Sequence, residues 1–153
     1  MSFYFAQLLT GLANASSLFL IASGLSIIFG VTRVVNFAHG ALYMLGAYLA
    51  YTLITALDFG AIGFWASVVA AAAIVGVIGG VIEILVLRRI YRSPELFQLV
   101  ATFGIVLIIQ DAALAIWGPA DVLGPRAPGL DRAVRIFGEP ILEYDLALIV
   151  IGP

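Results

Sequence analysis

The sequence predicts an all-α fold, a polytopic transmembrane helix bundle with four full spans, the start of a fifth and a short extracytoplasmic hairpin. Two observations predict this class. Of 153 residues, 63% are hydrophobic and 10% are charged, and the mean hydropathy is +1.16, whereas soluble domains normally hold about 45–50% apolar residues. Long apolar runs also recur along the chain, at roughly the 20 residues that a helix needs to cross a bilayer core.

Four runs are long enough to span, at residues 8–30, 37–57, 62–87 and 96–117. At about 1.5 Å per residue, the first reaches about 34 Å, more than a hydrocarbon core of about 30 Å. A fifth run starts near Leu146 and reaches Pro153, which is too short to cross. We therefore expect the sequence to be the N-terminal part of a longer membrane domain.

The arginines predict the orientation, because short loops rich in basic residues stay in the cytoplasm. One basic loop follows the first span and another follows the third, and these loops carry Arg33, Arg88, Arg89 and Arg92. A chain that passes back and forth places both loops on one side. We expect that side to be cytoplasmic, with the N-terminus and residues 118–145 outside.

The outer segment has the pattern of a small hairpin. Gly-Pro and Pro-Gly pairs break it at residues 118–129, and two short extended stretches follow at residues 133–142 around Gly138 and Glu139. Such breakers favour turns between short strands. We therefore expect a hairpin that lies on the outer surface.

Composition excludes several function classes. The chain has no cysteine and a single histidine, so it lacks the ligands of the common zinc sites and a cysteine nucleophile. All seven basic residues are arginines and they are dispersed, which excludes the clustered basic face that nucleic-acid binding needs. An intramembrane serine protease is a weak alternative, because no serine stands in a G-x-S-x-G elbow.

Two carboxylates at membrane depth are candidates for a translocation path. Asp111 lies six residues before Trp117, and Glu83 lies five residues before Arg88. Acidic residues inside spans are costly and often functional. The structural alternatives are that a neighbouring hydroxyl or water satisfies Asp111, and that Glu83 pairs with an arginine or extends to the interface.

The turn between the first two spans carries the second candidate site, at Asn36, His39 and Gly40. Asn36 is suited to cap the second span by accepting a hydrogen bond from the backbone N–H of Ala38 or His39. Gly40 leaves room for close packing or for a helix break. A helix N-terminus is also where transporters bind anionic groups, so cap and gate both remain open.

Small residues four apart predict a packing ridge in the third span, at Ala72, Gly76 and Gly80. Such ridges let neighbouring backbones approach closely. The serines of the first span offer hydroxyls for a partner helix, or for a substrate, at Ser16, Ser17, Ser23 and Ser26.

The block Asn36-Phe-Ala-His39-Gly40, followed by Tyr43-Met-Leu-Gly-Ala-Tyr48, resembles the LivH-type permeases of branched-chain amino acid ABC transporters. Weaker similarity continues at residues 24–30, 87–91, 99–104 and 116–119, in the order that the family has them. The resemblance covers nearly the whole chain.

The resemblance implies a membrane subunit of a bacterial importer in the inner membrane, surrounded by membrane lipid. Its implied partners are a second permease subunit, two ATPase subunits that bind the ATP, and an extracytoplasmic solute-binding protein. The family's permeases are about twice as long, and the ATPase-docking segment belongs to their later half, so this sequence alone is not expected to transport. Urea or short amides are the alternative cargo, and an ion-coupled secondary transporter is the alternative class.

Overall fold

The computed structural model of the chain describes residues 2–32, 36–57, 60–120, 122, 124–125, 127–130, 132–136 and 139–152. Arg33, the turn at residues 58–59 and Gly138 of the expected hairpin lie outside these residues. The orientation predicted from Arg33 therefore has no structural description.

Helices account for most of the described chain, and the long helices coincide with the apolar runs of the sequence. They are α1 (Ser2–Thr32), α2 (Ala38–Ala56), α3 (Gly60–Ile82), α4 (Arg88–Ile90), α5 (Glu95–Trp117) and α6 (Glu143–Ile151). A π-helical segment, Glu83–Leu87, joins α3 to α4 without a break. The helical rod therefore continues through Arg88 and Arg89, where the sequence suggested a loop.

Three helical stretches in the described part of the chain are long and apolar enough to cross a membrane: Tyr4–Val31, Gly60–Ile90 and Glu95–Trp117. Helix α2 has 19 residues but is not among the three. Its polar content lowers its hydropathy, since it carries a histidine, three tyrosines and two threonines. Crossing by α2, and hence the count of four full spans, stays a prediction.

The chain divides into two compact units, one of residues 25–125 and one of residues 1–24 with 126–153. In the first unit, α2 packs against both α3 and α5. Its buried core joins the start of α2 to the π-helical segment and the middle of α5, through Ala38, Ala41, Leu87, Ile105 and Ile109. The pattern of hydrophobic and polar residues along the sequence does not reveal this core, because nearly every position in these helices is apolar.

A ridge of α3 with a spacing of four residues packs inside the first unit, but it is not the ridge that the sequence predicted. Its buried members are Gly63, Ser67 and Ala71. Farther along the same ridge, a Cβ added at Gly79 would lie 3.7 Å from Leu42 Cδ1, and one added at Gly46 of α2 would lie 3.6 Å from Val75 Cγ2. The two backbones approach closely at these glycines.

The predicted ridge of Ala72, Gly76 and Gly80 lies one residue farther along α3 and is exposed. A Cβ added at Gly76 or Gly80 would meet nothing within 4 Å. No described helix packs on this ridge, so its role in helix packing stays a prediction. A shift of one residue turns a side chain by about 100° around a helix, which places this ridge on a different face from Gly63, Ser67 and Ala71.

In the second unit, strands β1 (Ala133–Ile136) and β2 (Glu139–Leu142) pair antiparallel, with Ala133 opposite Leu142. Helix α6 follows β2 directly, and Gly152, the residue after it, lies close to α1. A Cβ added at Gly152 would lie 2.6 Å from Ser16 Cβ. Ser16 and Ser17 donate their hydroxyls to carbonyls of their own helix, at Leu12 and Ala13, rather than to a partner helix.

The α3 ridges generate a matched test. We expect Gly79→Leu to destabilise the chain by about 1–3 kcal/mol, because the larger side chain collides with Leu42 in a packed contact. Gly80→Leu is the control: it has open space, and leucine favours a helix over glycine by roughly 0.5–1 kcal/mol. Thermal unfolding in detergent, followed by circular dichroism, should show a lower Tm for Gly79→Leu only. Equal Tm values for the two variants would contradict the packing described for α3.

Candidate functional site

A cavity of about 360 Å³ lies where α2 meets the C-terminal end of α5. The cavity is lined by two residues of α2, by four residues of α5 and by the three residues that follow α5: Met44, Tyr48, Gln110, Asp111, Ala113, Leu114, Gly118, Pro119 and Ala120. The cavity thus combines a carboxylate and an amide with an aromatic ring and a thioether. Small-molecule sites usually have this character, with a few polar groups in apolar walls.

An aromatic contact holds the two helices together beside this cavity. The rings of Tyr48 and Trp117 stack with centroids 5.0 Å apart and an interplanar angle of 29°. The indole Nε1 of Trp117 donates to Thr52 Oγ1 at 2.7 Å. Because Trp117 is the last residue of α5, these two interactions fix the end of α5 against α2 and hold Tyr48 in place.

Asp111 lines the cavity and is exposed. Its carboxylate forms no hydrogen bond or ion pair with the side chains that the structure describes. A hydroxyl partner from a neighbouring helix, the structural alternative considered for it, is therefore not found among the described residues. Among the described side chains, none occupies the carboxylate.

Asn36 caps α2, as the sequence predicted. Its Oδ1 accepts a hydrogen bond from the backbone N–H of Ala38 at 3.0 Å, and its carbonyl accepts one from His39 at 3.2 Å. Phe37, between them, already has helical dihedral angles of −63° and −24°. Asn36 is nearly buried, with 9% of its surface exposed, so the cap closes a packed helix end.

The other two residues of this turn lie on the helix itself. His39 is half-buried and Gly40 is exposed. Helix α2 is not broken at Gly40, and a Cβ there would meet nothing within 4 Å. The helix break at Gly40 is therefore not found, and close packing at Gly40 has no partner among the described residues and stays a prediction.

The structure separates the two candidate sites. The cavity contacts α2 at Met44 and Tyr48, and Asn36 precedes the start of that helix. Twelve residues from Asn36 to Tyr48 correspond to about 18 Å along the helix axis. Asn36 and Asp111 therefore do not form one site, although both border α2.

Glu83 pairs with a tyrosine instead of an arginine. The hydroxyl of Tyr91 donates to Glu83 Oε2, across the π-helical segment and the short helix α4. Burial, and then the hydrogen bond and charge of Glu83, raise the pKa of Tyr91 to about 12. Tyr91 therefore stays a hydrogen-bond donor at any physiological pH, and no described arginine forms an ion pair with Glu83.

The arginine loop after α4 is held by α5. The side-chain amide of Gln98 donates to the carbonyl of Ser93 at 2.8 Å and to that of Tyr91 at 3.3 Å. Arg88, Arg89 and Arg92 are exposed. The turn after α4 is thus fixed, and it carries Arg92, while Arg88 and Arg89 lie on α4 just before it.

Sequence reasoning did not single out Tyr48, Thr52, Tyr91 or Gln98 as parts of a site. The sequence contained one partial indication of this site. Met44, Tyr48 and Thr52 are four residues apart, so they lie on one face of α2. Nothing in the sequence indicates that this face meets the end of α5. The contact between them is seen only in the tertiary structure.

Comparison with known proteins gives one consistent result. Residues 7–142 match the sequence profile of the family described as the branched-chain amino acid transport system permease component. The chain is 30% identical over 128 residues to the high-affinity branched-chain amino acid transport system permease protein LivH of Escherichia coli strain K12. It is 31% identical over 116 residues to the corresponding protein BraD of Pseudomonas aeruginosa.

These alignments cover 80% and 72% of this chain, and 42% and 38% of the two relatives. The chain therefore spans less than half the length of the curated relatives it matches. The search of solved structures gave no significant match.

The cap at Asn36 yields a prediction about stability. Asn36→Ala removes the acceptor for the Ala38 N–H, and we expect it to lower the free energy of unfolding by about 0.5–2 kcal/mol. Asn36→Asp keeps an acceptor oxygen and adds a negative charge at a helix N-terminus, which is favourable, so its Tm should stay near that of the unchanged chain. Thermal unfolding of both variants in detergent checks this, and a Tm for Asn36→Asp as low as that for Asn36→Ala would contradict the cap.

Proposed function

Because this chain belongs to the family of permease components of branched-chain amino acid transport systems, we propose that it forms part of the membrane pathway of an ATP-driven importer of branched-chain amino acids. The profile match over residues 7–142 is the observation that carries the proposal. The family's proteins are transport subunits, so the chain is not an enzyme.

The proposed complex has the composition that its class requires. A second permease subunit completes the pathway, two ATPase subunits bind and hydrolyse ATP, and a solute-binding protein delivers the cargo from outside. The exposed apolar residues of the membrane-capable helices support contact with lipid or with a second permease, since Val31, Val77 and Ile108 are 81%, 68% and 70% exposed. Exposure of such apolar faces to water is unfavourable, whereas in a bilayer they contact lipid chains that are equally apolar.

The proposed arrangement has four full spans, with α2 as the second, in the bacterial inner membrane. Helix α2 is proposed to cross in spite of its lower hydropathy because it packs against both α3 and α5. Tyr48 and Tyr51 are half-buried, whereas Tyr43, Thr52 and Thr55 are exposed. The hydroxyls of Thr52 and Thr55 donate to carbonyls one turn earlier, which satisfies them within the helix. Helix α4 with Arg88 and Arg89 and the turn with Arg92 are proposed as cytoplasmic, and the β1–β2 pair as extracytoplasmic.

The proposed path for cargo runs along α2. Asp111 and its cavity lie toward one end, and the cap at Asn36 with His39 and Gly40 lies at the other. The free carboxylate in a cavity and the open space around Gly40 support this path. The exposed ridge of Ala72, Gly76 and Gly80 offers a surface where a second permease subunit can approach closely.

Family membership disfavours an ion-coupled secondary transporter, and uptake measurements separate the remaining cargo classes. In the host organism, deletion of the gene for this chain should abolish ATP-dependent uptake of radiolabelled leucine, isoleucine and valine. Re-expression should restore it, and glutamate uptake serves as the control that stays constant. Loss of urea or acetamide uptake instead would move the cargo to the amide class, and unchanged uptake of all these solutes would overturn the proposal.

Single cysteines test the orientation, since the chain has none of its own. An impermeant thiol reagent applied to intact spheroplasts should label Ser2→Cys and Arg132→Cys but not Ser93→Cys, because the loop at Ser93 carries the basic residues that stay in the cytoplasm. Disruption of the spheroplasts should expose Ser93→Cys to the reagent. Labelling of Ser93→Cys in intact spheroplasts would reverse the proposed orientation.

A further inference from the structure

We propose that the cavity between α2 and α5 binds a primary ammonium group, with the carboxylate of Asp111 as its counter-ion. The inference rests on the proposed transport function for its place in a pathway, and it adds the site and the side chain that recognise the ammonium group of the cargo. Three features of the cavity carry it: its charge, its position at a helix end, and its apolar walls.

The cavity contains an acidic side chain and no basic one among the described residues that line it. Asp111 is the one acidic residue in this lining. No described side chain neutralises it. A carboxylate inside a membrane domain is costly unless a cation accompanies it, so the site favours a positively charged ligand.

The end of α5 adds to this preference. The last carbonyls of a helix lack intrahelical partners and carry the negative end of the helix dipole. Gly118, with a φ of +80°, ends α5, and its N–H is donated to the carbonyl of Leu114 at 2.9 Å. Carbonyls closer to Trp117 remain without such a partner inside the helix, and their field favours a cation in the adjoining cavity.

The walls suit an aliphatic body attached to that cation. Tyr48 is held by its stacking on Trp117, and Met44 supplies a flexible thioether that adapts to different apolar shapes. A cavity of about 360 Å³ lies within the range of roughly 300–1,000 Å³ of small-molecule sites. The side-chain amide of Gln110 offers N–H donors for a carboxylate on the same ligand.

This arrangement distinguishes an amino acid from a neutral amide. Urea and short amides cannot neutralise Asp111, so binding them would leave the carboxylate unpaired in a less polar environment. An α-ammonium group removes that cost by forming a charge-assisted hydrogen bond. The site therefore selects amines against neutral compounds of similar shape.

Trp117 allows a direct binding test on the chain in lipid nanodiscs. The chain has two tryptophans, and Trp65→Phe leaves Trp117, beside the cavity, as the sole indole. Leucine should change its fluorescence in a saturable way, whereas 4-methylpentanoate, which lacks the amine, and acetamide should not. In this background Asp111→Asn should weaken leucine binding by about ten- to a hundredfold, since a charge-assisted hydrogen bond contributes about 1.5–3 kcal/mol.

Two further variants make the result specific. Asp111→Glu keeps the charge and should retain binding within a few-fold, and Glu95→Gln removes a carboxylate from the first turn of the same helix and should leave binding unchanged. Circular dichroism and Tm establish that each variant is folded. Equal responses to leucine and 4-methylpentanoate, no response to leucine, or a folded Asp111→Asn variant that binds as well as the unchanged chain would each overturn the ammonium site.

The two proposals fail separately. If leucine binds as expected but deletion of the gene leaves amino acid uptake intact, the transport proposal fails and the site remains. If uptake depends on the chain but Asp111→Asn changes neither binding nor uptake, the ammonium site fails and the transport function remains.

Discussion

The close approach of α2 and α3 is the contact on which the first unit depends. In a bilayer, lipid chains are as apolar as leucine, so helices associate through close packing rather than through exclusion of water. Gly46 and Gly79 permit that approach, with Val75 and Leu42 filling the space opposite them. Because α2 also packs against α5, the position of α2 on α3 determines which of its faces is left to form the cavity with α5.

Polar contacts hold α2 and its neighbours at both ends of this packed layer. At the start of α2, Asn36 accepts a hydrogen bond from Ala38, and Ala38 belongs to the same buried core as Leu87 and Ile105. Toward its other end, Trp117 stacks on Tyr48 and donates to Thr52. A site with walls that are fixed in this way is organised before a ligand enters, which reduces the entropy lost on binding.

The π-helical segment Glu83–Leu87 is an irregular part of the continuous helical rod that runs from α3 into α4. It places Glu83 where Tyr91 can donate to it, and the turn that follows is held by Gln98. Ser67, which is fully buried on α3, has no hydrogen-bond partner among the described residues. The other buried polar side chains described in the first unit, Asn36, Gln98 and Thr102, form hydrogen bonds with backbone groups close to them in the chain.

The sequence by itself determined the class of the protein, the places of the long helices and the cap at Asn36, because these depend on hydropathy, on the length needed to cross a bilayer and on contacts between near neighbours. Family membership was also readable from the Asn36–Gly40 block. The tertiary structure decided which faces meet. On α3 it buried Gly63, Ser67 and Ala71 and left Ala72, Gly76 and Gly80 exposed. It also paired Glu83 with Tyr91. Finally, it stacked Tyr48 on Trp117 beside the cavity that Asp111 lines. In a helix that is apolar all round, hydrophobicity cannot distinguish one face from the next, so only the fit between neighbouring helices makes that choice.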